Sequence, residues 1–126
     1  MSDDEFSKLV ESGIGALPVW VQEKLVNVVF LVYDVPTQKQ VIEHDLTASD
    51  ALFGLYEGVP LSERGDDAPI FPDTITLFKN AILEAYTDPL DIRECVHNTI
   101  WHEVAHFLGH DEEWVALEEV KRGKMK

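Results

Sequence analysis

Three things are scarce in this sequence of 126 residues: cysteine, basic side chains and long apolar runs. The single cysteine, Cys95, excludes an internal disulfide framework and suits a reducing compartment. No stretch approaches about 18 consecutive apolar residues, so no membrane-spanning helix is predicted. Residues 1–5 are mostly acidic and do not resemble a secretory signal peptide. We therefore expect a cytoplasmic protein that does not enter a membrane.

The shortage of basic residues gives the chain a formal net charge of −14, with 24 acidic side chains against 10 basic ones. Four of those ten basic residues lie within residues 121–126, so the rest of the chain is more acidic still. Such a surface repels the phosphates of nucleic acids and of anionic membranes. We therefore expect no nucleic-acid partner. The oligomeric state stays open, with a monomer favoured.

What the sequence does contain is the composition of a folded globule, with 45% hydrophobic and 10% aromatic residues. Its length suits one domain with one modest core. Hydrophobic patterning predicts helices over residues 6–14 and 19–25, and strands over 28–33 and 70–79. Residues 36–49 and 62–69 are polar and predicted as loops, whereas 50–56 fits either a strand or a helical turn. The fold class is therefore α+β, with a small mixed sheet of three or four strands packed against helices.

The most informative segment is a predicted helix of about 20 residues near the end of the chain. Asp88 suits the N-cap, Pro89 the first helical position and Asp91 the first turn. Gly109 supplies the stop, in the left-handed conformation that glycine adopts most easily. Between these signals an apolar stripe recurs at helical spacing. It consists of Ile92, Val96, Ile100, Val104 and Phe107.

The last two turns of this helix carry the pattern H-E-x-x-H, formed by His102, Glu103 and His106. Residues four apart lie on one helix face, so two imidazoles can point at one ion. Two neutral imidazoles suit tetrahedral zinc, and Glu103 can reach a water at the open coordination position as general base. The pattern predicts a metal-dependent hydrolase. The alternative is a buried helix with two satisfied histidines and a salt-bridged glutamate.

A catalytic zinc ion usually takes three protein ligands and a water, so a third ligand is expected after the helix. The spacing H-E-x-x-H-x-x-G-x-x-E places Glu112 where zinc proteases with a glycine turn carry that ligand. Asp111 and His110 have suitable chemistry and remain alternatives.

Three further residues carry metal-binding chemistry. Cys95 shares the histidine face but lies about 10 Å from His102 along the helix axis, too far to share one ion. We therefore interpret it as a small buried apolar residue. His97 points away from the His102 face and His44 lies in a polar stretch, so surface roles are expected for both.

Over most of its length, the chain resembles the minimal zincins, a family of small bacterial metallopeptidase-like proteins. Residues 17–34 resemble the opening helix and first strand of that family. The segment G-L-Y-E-G-V-P-L-S-E-R at 54–64 and the strand P-D-T-I-T-L-F at 72–78 are also similar. The family motif usually ends in aspartate, where this chain has Glu112. The resemblance implies one zincin-like metallopeptidase domain over residues 1–126, with a long active-site helix.

These observations predict a zinc-dependent peptidase. His102, His106 and Glu112 would hold Zn²⁺, and Glu103 would deprotonate the bound water and pass the proton to the leaving amine. Tyr56 is a candidate donor for the developing oxyanion.

The resemblance also implies that the strand near residues 74–78 offers backbone hydrogen bonds to an extended peptide or protein substrate. The alternative function is a non-catalytic, metal-stabilised module that binds a protein or peptide. A fourth protein ligand, for example His110, would favour that module, because it leaves no position for a water.

Overall fold

The computed structural model describes residues 1–46, 52–61 and 72–109. The elements in this part of the chain follow in order. They are α1 (Asp3–Gly15), α2 (Val19–Lys24), β1 (Val28–Tyr33), α3 (Gln38–Glu43), β2 (Gly54–Glu57), β3 (Asp73–Phe78), α4 (Lys79–Ala85) and α5 (Pro89–Leu108). This arrangement of helices with one small sheet confirms the α+β prediction. Within the three described ranges, no helix is both long and apolar enough to cross a membrane.

The sheet is mixed, with three strands in the order β1-β3-β2. β1 runs parallel to β3, with Val28 opposite Asp73 and Tyr33 opposite Phe78. β2 runs antiparallel to β3, with Gly54 opposite Leu77. β3 is therefore the central strand, and all but one of its six residues are buried. β2 lies at one edge.

The core lies where α5 packs against both α1 and the sheet. α1 contributes Phe6 and Val10, which lie four residues apart and therefore share one helix face. The matching stripe on α5 includes Val96, Ile100 and Val104, all fully buried. Burying one side chain of this size stabilises the fold by about 1.5–3 kcal/mol. This packing holds α5 rigidly under the sheet.

Two helices were not predicted from the sequence. Residues 36–49 were expected to form a loop, and α3 shows this to be wrong over Gln38–Glu43. The reason is a capping box: the Thr37 hydroxyl accepts from the Gln40 amide, and the Gln40 side chain accepts from the Thr37 amide. α4 begins directly where β3 ends, so the predicted strand 70–79 is too long at its end. Residues 62–69, predicted as a loop, lie outside the described residues.

Candidate metal centre

The helix that carries the histidine motif, α5, has both of the predicted end signals. The Asp88 side chain accepts a hydrogen bond from the Leu90 amide at 2.8 Å, and Pro89 is the first helical residue. Gly109 ends the helix in the left-handed conformation, at φ 93°. The helix is 20 residues long, as predicted. His102 and His106 therefore lie in its last two turns, where capping and core packing fix the backbone.

His102 and His106 bring their Nε2 atoms to within 3.1 Å of each other. Both side chains are half-buried, and their ring centroids are 4.8 Å apart. Two imidazole nitrogens bound at about 2.0–2.1 Å to one tetrahedral zinc ion lie roughly 3.4 Å apart. The pair thus has nearly the separation that zinc needs, and the residues fit this metal. The distance between the two Nε2 atoms also fits a direct N–H···N hydrogen bond from one imidazole ring to the other.

Glu103 is buried, with 9% of its surface exposed. Its Oε1 accepts a hydrogen bond from the backbone N–H of Tyr56 at 3.2 Å, which ties α5 to β2. The possible ligand atoms of His102, Glu103 and His106 all lie within 4.8 Å of one another. The structure therefore places a hydrogen-bonded carboxylate directly beside the two imidazoles.

A glycine in β2 permits this close approach. A Cβ atom at Gly54 would lie 2.5 Å from Thr99 Cγ2 and 3.4 Å from Glu103 Cγ. Real Cβ atoms do not come as near as the first of these distances, so any larger residue would push β2 away from α5. This role of Gly54 was not predicted from the sequence. The available signal was a glycine within a segment that fits either a strand or a helical turn, because a glycine inside a strand often marks a close backbone approach.

Tyr56 contacts the motif helix in a way that differs from its expected role. Its hydroxyl donates to Asp73 Oδ2 at 2.7 Å, and its ring packs edge-on against Phe107 with centroids 6.0 Å apart. The hydrogen bond to Glu103 comes from the backbone amide instead. Asp73, only 3% exposed, was not among the candidate residues. Gly58 sits over this carboxylate at φ 154°, where a Cβ would overlap its atoms.

The expectation that residues 74–78 offer backbone groups to a peptide is wrong. β3 is paired on both sides, so its amides and carbonyls are used within the sheet. The outer edge of β2 is the better candidate. The Phe78 amide donates to the Phe53 carbonyl at 2.9 Å, so these two residues form a hydrogen-bonded pair. Hydrogen-bonded and non-hydrogen-bonded pairs alternate along an antiparallel ladder, so every second residue of β2 points its backbone groups away from β3. The backbone groups of Gly54 and Tyr56 therefore face away from β3, towards α5.

Cys95 is buried, as predicted, with 8% of its surface exposed. Its Sγ lies 4.0 Å from Thr99 Oγ1. Burial raises the pKa of the Cys95 thiol, and the contact with Thr99 partly offsets that rise. A cavity of about 320 Å³ opens between this part of α5 and the beginning of β2, and His102 and Glu103 also line it.

The other two histidines each join two elements of the fold. His97 Nε2 lies 3.2 Å from Ser12 Oγ, between α5 and α1. His44 Nε2 lies 3.2 Å from Glu57 Oε2, between the end of α3 and β2. Both histidines are close to the surface, as expected, but the sequence did not show these partners. The candidate third ligands Glu112, Asp111 and His110 lie outside the described residues.

Comparison with known proteins agrees with this geometry. The model of the zincin-like metallopeptidase family matches residues 25–122, a range that runs from before β1 to beyond α5. No curated protein matches the chain. The family match covers most of the sequence and includes the whole of the motif helix. The chain therefore belongs to the zincin-like metallopeptidase family.

Proposed function

We propose that the protein is a zinc-dependent peptidase in which Glu103 is the general base. The observation that carries this proposal is the grouping of His102, Glu103 and His106 within 4.8 Å on a capped, packed helix. His102 and His106 would each offer Nε2 to the metal, and Glu112 is the proposed third ligand. Bound zinc polarises a peptide carbonyl and lowers the pKa of a water.

Glu103 acts on the proton of that water. Its side chain is rotated by about 100° from that of His102 around the helix, so it lies beside the histidine pair. The Tyr56 amide holds Oε1 and limits rotation of the carboxylate. From this position Glu103 accepts the proton of the attacking water and then delivers it to the leaving amine. Such proton transfer contributes about 10²–10⁴-fold to a rate.

The edge of β2 supports a peptide as the substrate. The backbone groups of Gly54 and the Tyr56 carbonyl face away from β3, whereas the Tyr56 amide on the same side already donates to Glu103. An extended peptide can pair with such an edge through its main chain, whatever its sequence. This pairing would lay the peptide across the motif helix and bring one of its carbonyl groups beside Glu103.

Two features of the chain bear on the compartment in which the protein acts and on its partners. Its only cysteine, Cys95, is a buried free thiol, and we propose a reducing compartment such as the cytoplasm. The net charge of −14 disfavours nucleic acid as a substrate or partner.

The test is a digest of a broad peptide library by protein that was purified without a histidine tag. Three samples are compared: zinc-loaded protein, protein stripped by a chelator, and stripped protein with zinc restored. Cleavage should disappear on stripping and return with zinc. Absence of cleavage from zinc-loaded protein over the whole library would overturn the peptidase and favour a non-catalytic binding module.

A further inference from the structure

The end of β2 is tied to the centre of the sheet by two side chains, Tyr56 and Asp73. The Tyr56 hydroxyl donates a hydrogen bond to Asp73 Oδ2 at 2.7 Å, and the Tyr56 amide donates to Glu103 Oε1 at 3.2 Å. We propose that Asp73 is a positioning residue, which acts through Tyr56 to hold the carboxylate of Glu103 beside the two motif histidines. This inference rests on the proposed peptidase function, in which Glu103 is the base.

Asp73 is suited to be an anchor because it belongs to the central strand. It is the first residue of β3, and only 3% of its surface is exposed. It lies opposite Val28 of β1, and its amide donates to the Asn27 carbonyl at 3.1 Å. The backbone of Asp73 is therefore fixed against β1, independently of β2.

The chain that leaves β2 passes directly over the carboxylate of Asp73. Gly58 has φ 154°, and a Cβ atom at this position would lie 2.5 Å from Asp73 Oδ1. Any larger residue would overlap the carboxylate, so glycine is what permits this close backbone approach. The backbone at Gly58 thereby covers the Asp73 carboxylate and limits its rotation away from the Tyr56 hydroxyl.

Tyr56 contacts the motif helix at two points that are about one helical turn apart. Its amide bonds to Glu103, and its ring packs edge-on against Phe107, with centroids 6.0 Å apart. Phe107 is fully buried and directly follows His106 in the chain. Because Phe107 holds the Tyr56 ring and Asp73 holds its hydroxyl, the backbone amide of Tyr56 has a fixed position beside Glu103.

β2 needs such an anchor because it is a short edge strand. It has four residues and, among the described residues, pairs with β3 alone. Short, partly exposed segments open locally at a low cost in free energy. If the end of β2 opened, Glu103 would lose the amide that holds Oε1, and its side chain could turn to other rotamers. A displacement of about 1 Å caused by a remote substitution can lower a rate by about 100-fold.

The same hydrogen bond argues against a direct role for the Tyr56 hydroxyl at a developing oxyanion. A tyrosine hydroxyl has one proton to donate, and Asp73 accepts it in this structure. Tyr56 therefore acts on the reaction through its backbone amide and Glu103.

The first measurement follows the position of this amide and does not depend on hydrolysis. Hydrogen exchange at the amide of residue 56 is measured by NMR on isotope-labelled protein. Tyr56→Phe keeps the ring and the amide, but exchange should become about 10-fold faster or more, because a hydrogen bond to a carboxylate is lost. Tyr33→Phe is the matched control. It lies at the opposite end of the sheet from Asp73 and should leave this exchange unchanged.

The second measurement is steady-state cleavage of one peptide that the wild type cleaves. Tyr56→Phe and Asp73→Ala should each lower kcat by about 10- to 100-fold, with KM and zinc content close to those of the wild type. The double variant should be no slower than the slower single variant, because both substitutions break the same hydrogen bond. If Asp73→Ala did not fold, Tyr56→Phe and its Tyr33→Phe control would still decide the question.

The two measurements separate the anchor formed by Asp73 and Tyr56 from the peptidase. Faster exchange together with a lower kcat at constant KM would support both. Unchanged exchange, a higher KM at constant kcat, or additive losses in the double variant would overturn the positioning role and leave the peptidase. Faster exchange in Tyr56→Phe without cleavage by the wild type would keep the anchor on Glu103 and overturn the peptidase. Unchanged exchange without cleavage would overturn both.

Discussion

The described residues contain two groups of histidine and carboxylate side chains whose possible ligand atoms lie within 4.8 Å of one another. One group, the helix cluster, is His102, Glu103 and His106; the other, the surface cluster, is Glu43, His44 and Glu57. The two groups offer almost the same chemistry. They differ in what holds them, and that difference separates a candidate active site from a structural contact.

The helix cluster projects from one capped helix of 20 residues whose apolar face is buried. The surface cluster joins the six-residue helix α3 to β2, and Glu43 is exposed. Its polar atoms already join these elements: Gln40 donates to Glu57 Oε1 at 2.7 Å, and His44 Nε2 lies 3.2 Å from Glu57 Oε2. Ligand types alone therefore do not define a site. Rigid support and a shared direction of the donor atoms do.

Removing one histidine from each cluster should show the largest difference between them. His106→Ala should lower zinc affinity by more than the about 100-fold loss typical of outer-shell changes, because it removes a direct ligand. His44→Ala is the matched control and should keep about one zinc per chain, as in the wild type. Metal analysis of the purified proteins measures both. Retention of zinc by His106→Ala, or its loss from His44→Ala, would reverse the assignment of the clusters.

Substitution of the proposed third ligand, which follows the glycine turn, should have the next largest effect on zinc affinity. Glu112→Gln should weaken zinc affinity by about 10- to 100-fold or more, while the neighbouring control Glu113→Gln should change it little. Competition with a chromophoric chelator measures the affinities. If Asp111→Asn or His110→Ala produced the large loss instead, the helix cluster would stand with a different third ligand.

β2 lies close to α5 beside the helix cluster. This close approach can be tested by measuring the stability of glycine variants. Gly54→Ala would place Cβ 2.5 Å from Thr99 Cγ2, and such overpacking costs about 1–3 kcal/mol. Gly15→Ala, where no atom lies within 4 Å of the added Cβ, should leave stability unchanged or slightly raised. Urea unfolding of both variants gives the free energies. Equal stabilities would show that β2 does not lie against Thr99 as described.

The smallest effect is expected within the surface cluster. Glu57→Gln keeps an oxygen that can accept from Gln40 but removes the negative charge beside His44. The free energy of unfolding should fall by about 1 kcal/mol or less, because partly exposed ion pairs contribute little. Urea unfolding near neutral pH measures this change. A loss several times larger would mean that this contact supports the fold far more than its exposure suggests.

The sequence predicted those parts of the molecule that depend on local signals. The N-cap Asp88, the stop at Gly109 and the apolar stripe between them predicted α5 correctly at both ends. β1 was predicted with its observed bounds, because its six residues are all β-branched, aromatic or leucine. The same local reasoning failed for α3, where the Thr37–Gln40 capping box went unnoticed in a polar segment.

The contacts that complete the site could not be predicted in this way. The hydrogen bond from Tyr56 to Glu103 uses a backbone amide, which every residue except proline has, so no residue type marks it. The pairing of Tyr56 with Asp73 joins residues that are 17 positions apart. The central position of β3 likewise depends on which strands pair, and it leaves β2, not residues 74–78, as the edge proposed for a peptide. Each of these contacts is set by tertiary packing.

We propose that Glu103 serves as a base beside metal-binding histidines and is not itself a ligand. The most direct measurement compares peptide-library cleavage by wild type and Glu103→Gln, prepared identically and with zinc content measured in both. The variant should keep its zinc and its fold, because glutamine can still accept from the Tyr56 amide. Its cleavage rate should fall by about 10²–10⁴-fold, since an amide cannot take the proton of water. Equal cleavage by the two zinc-loaded proteins would show that Glu103 is not the base.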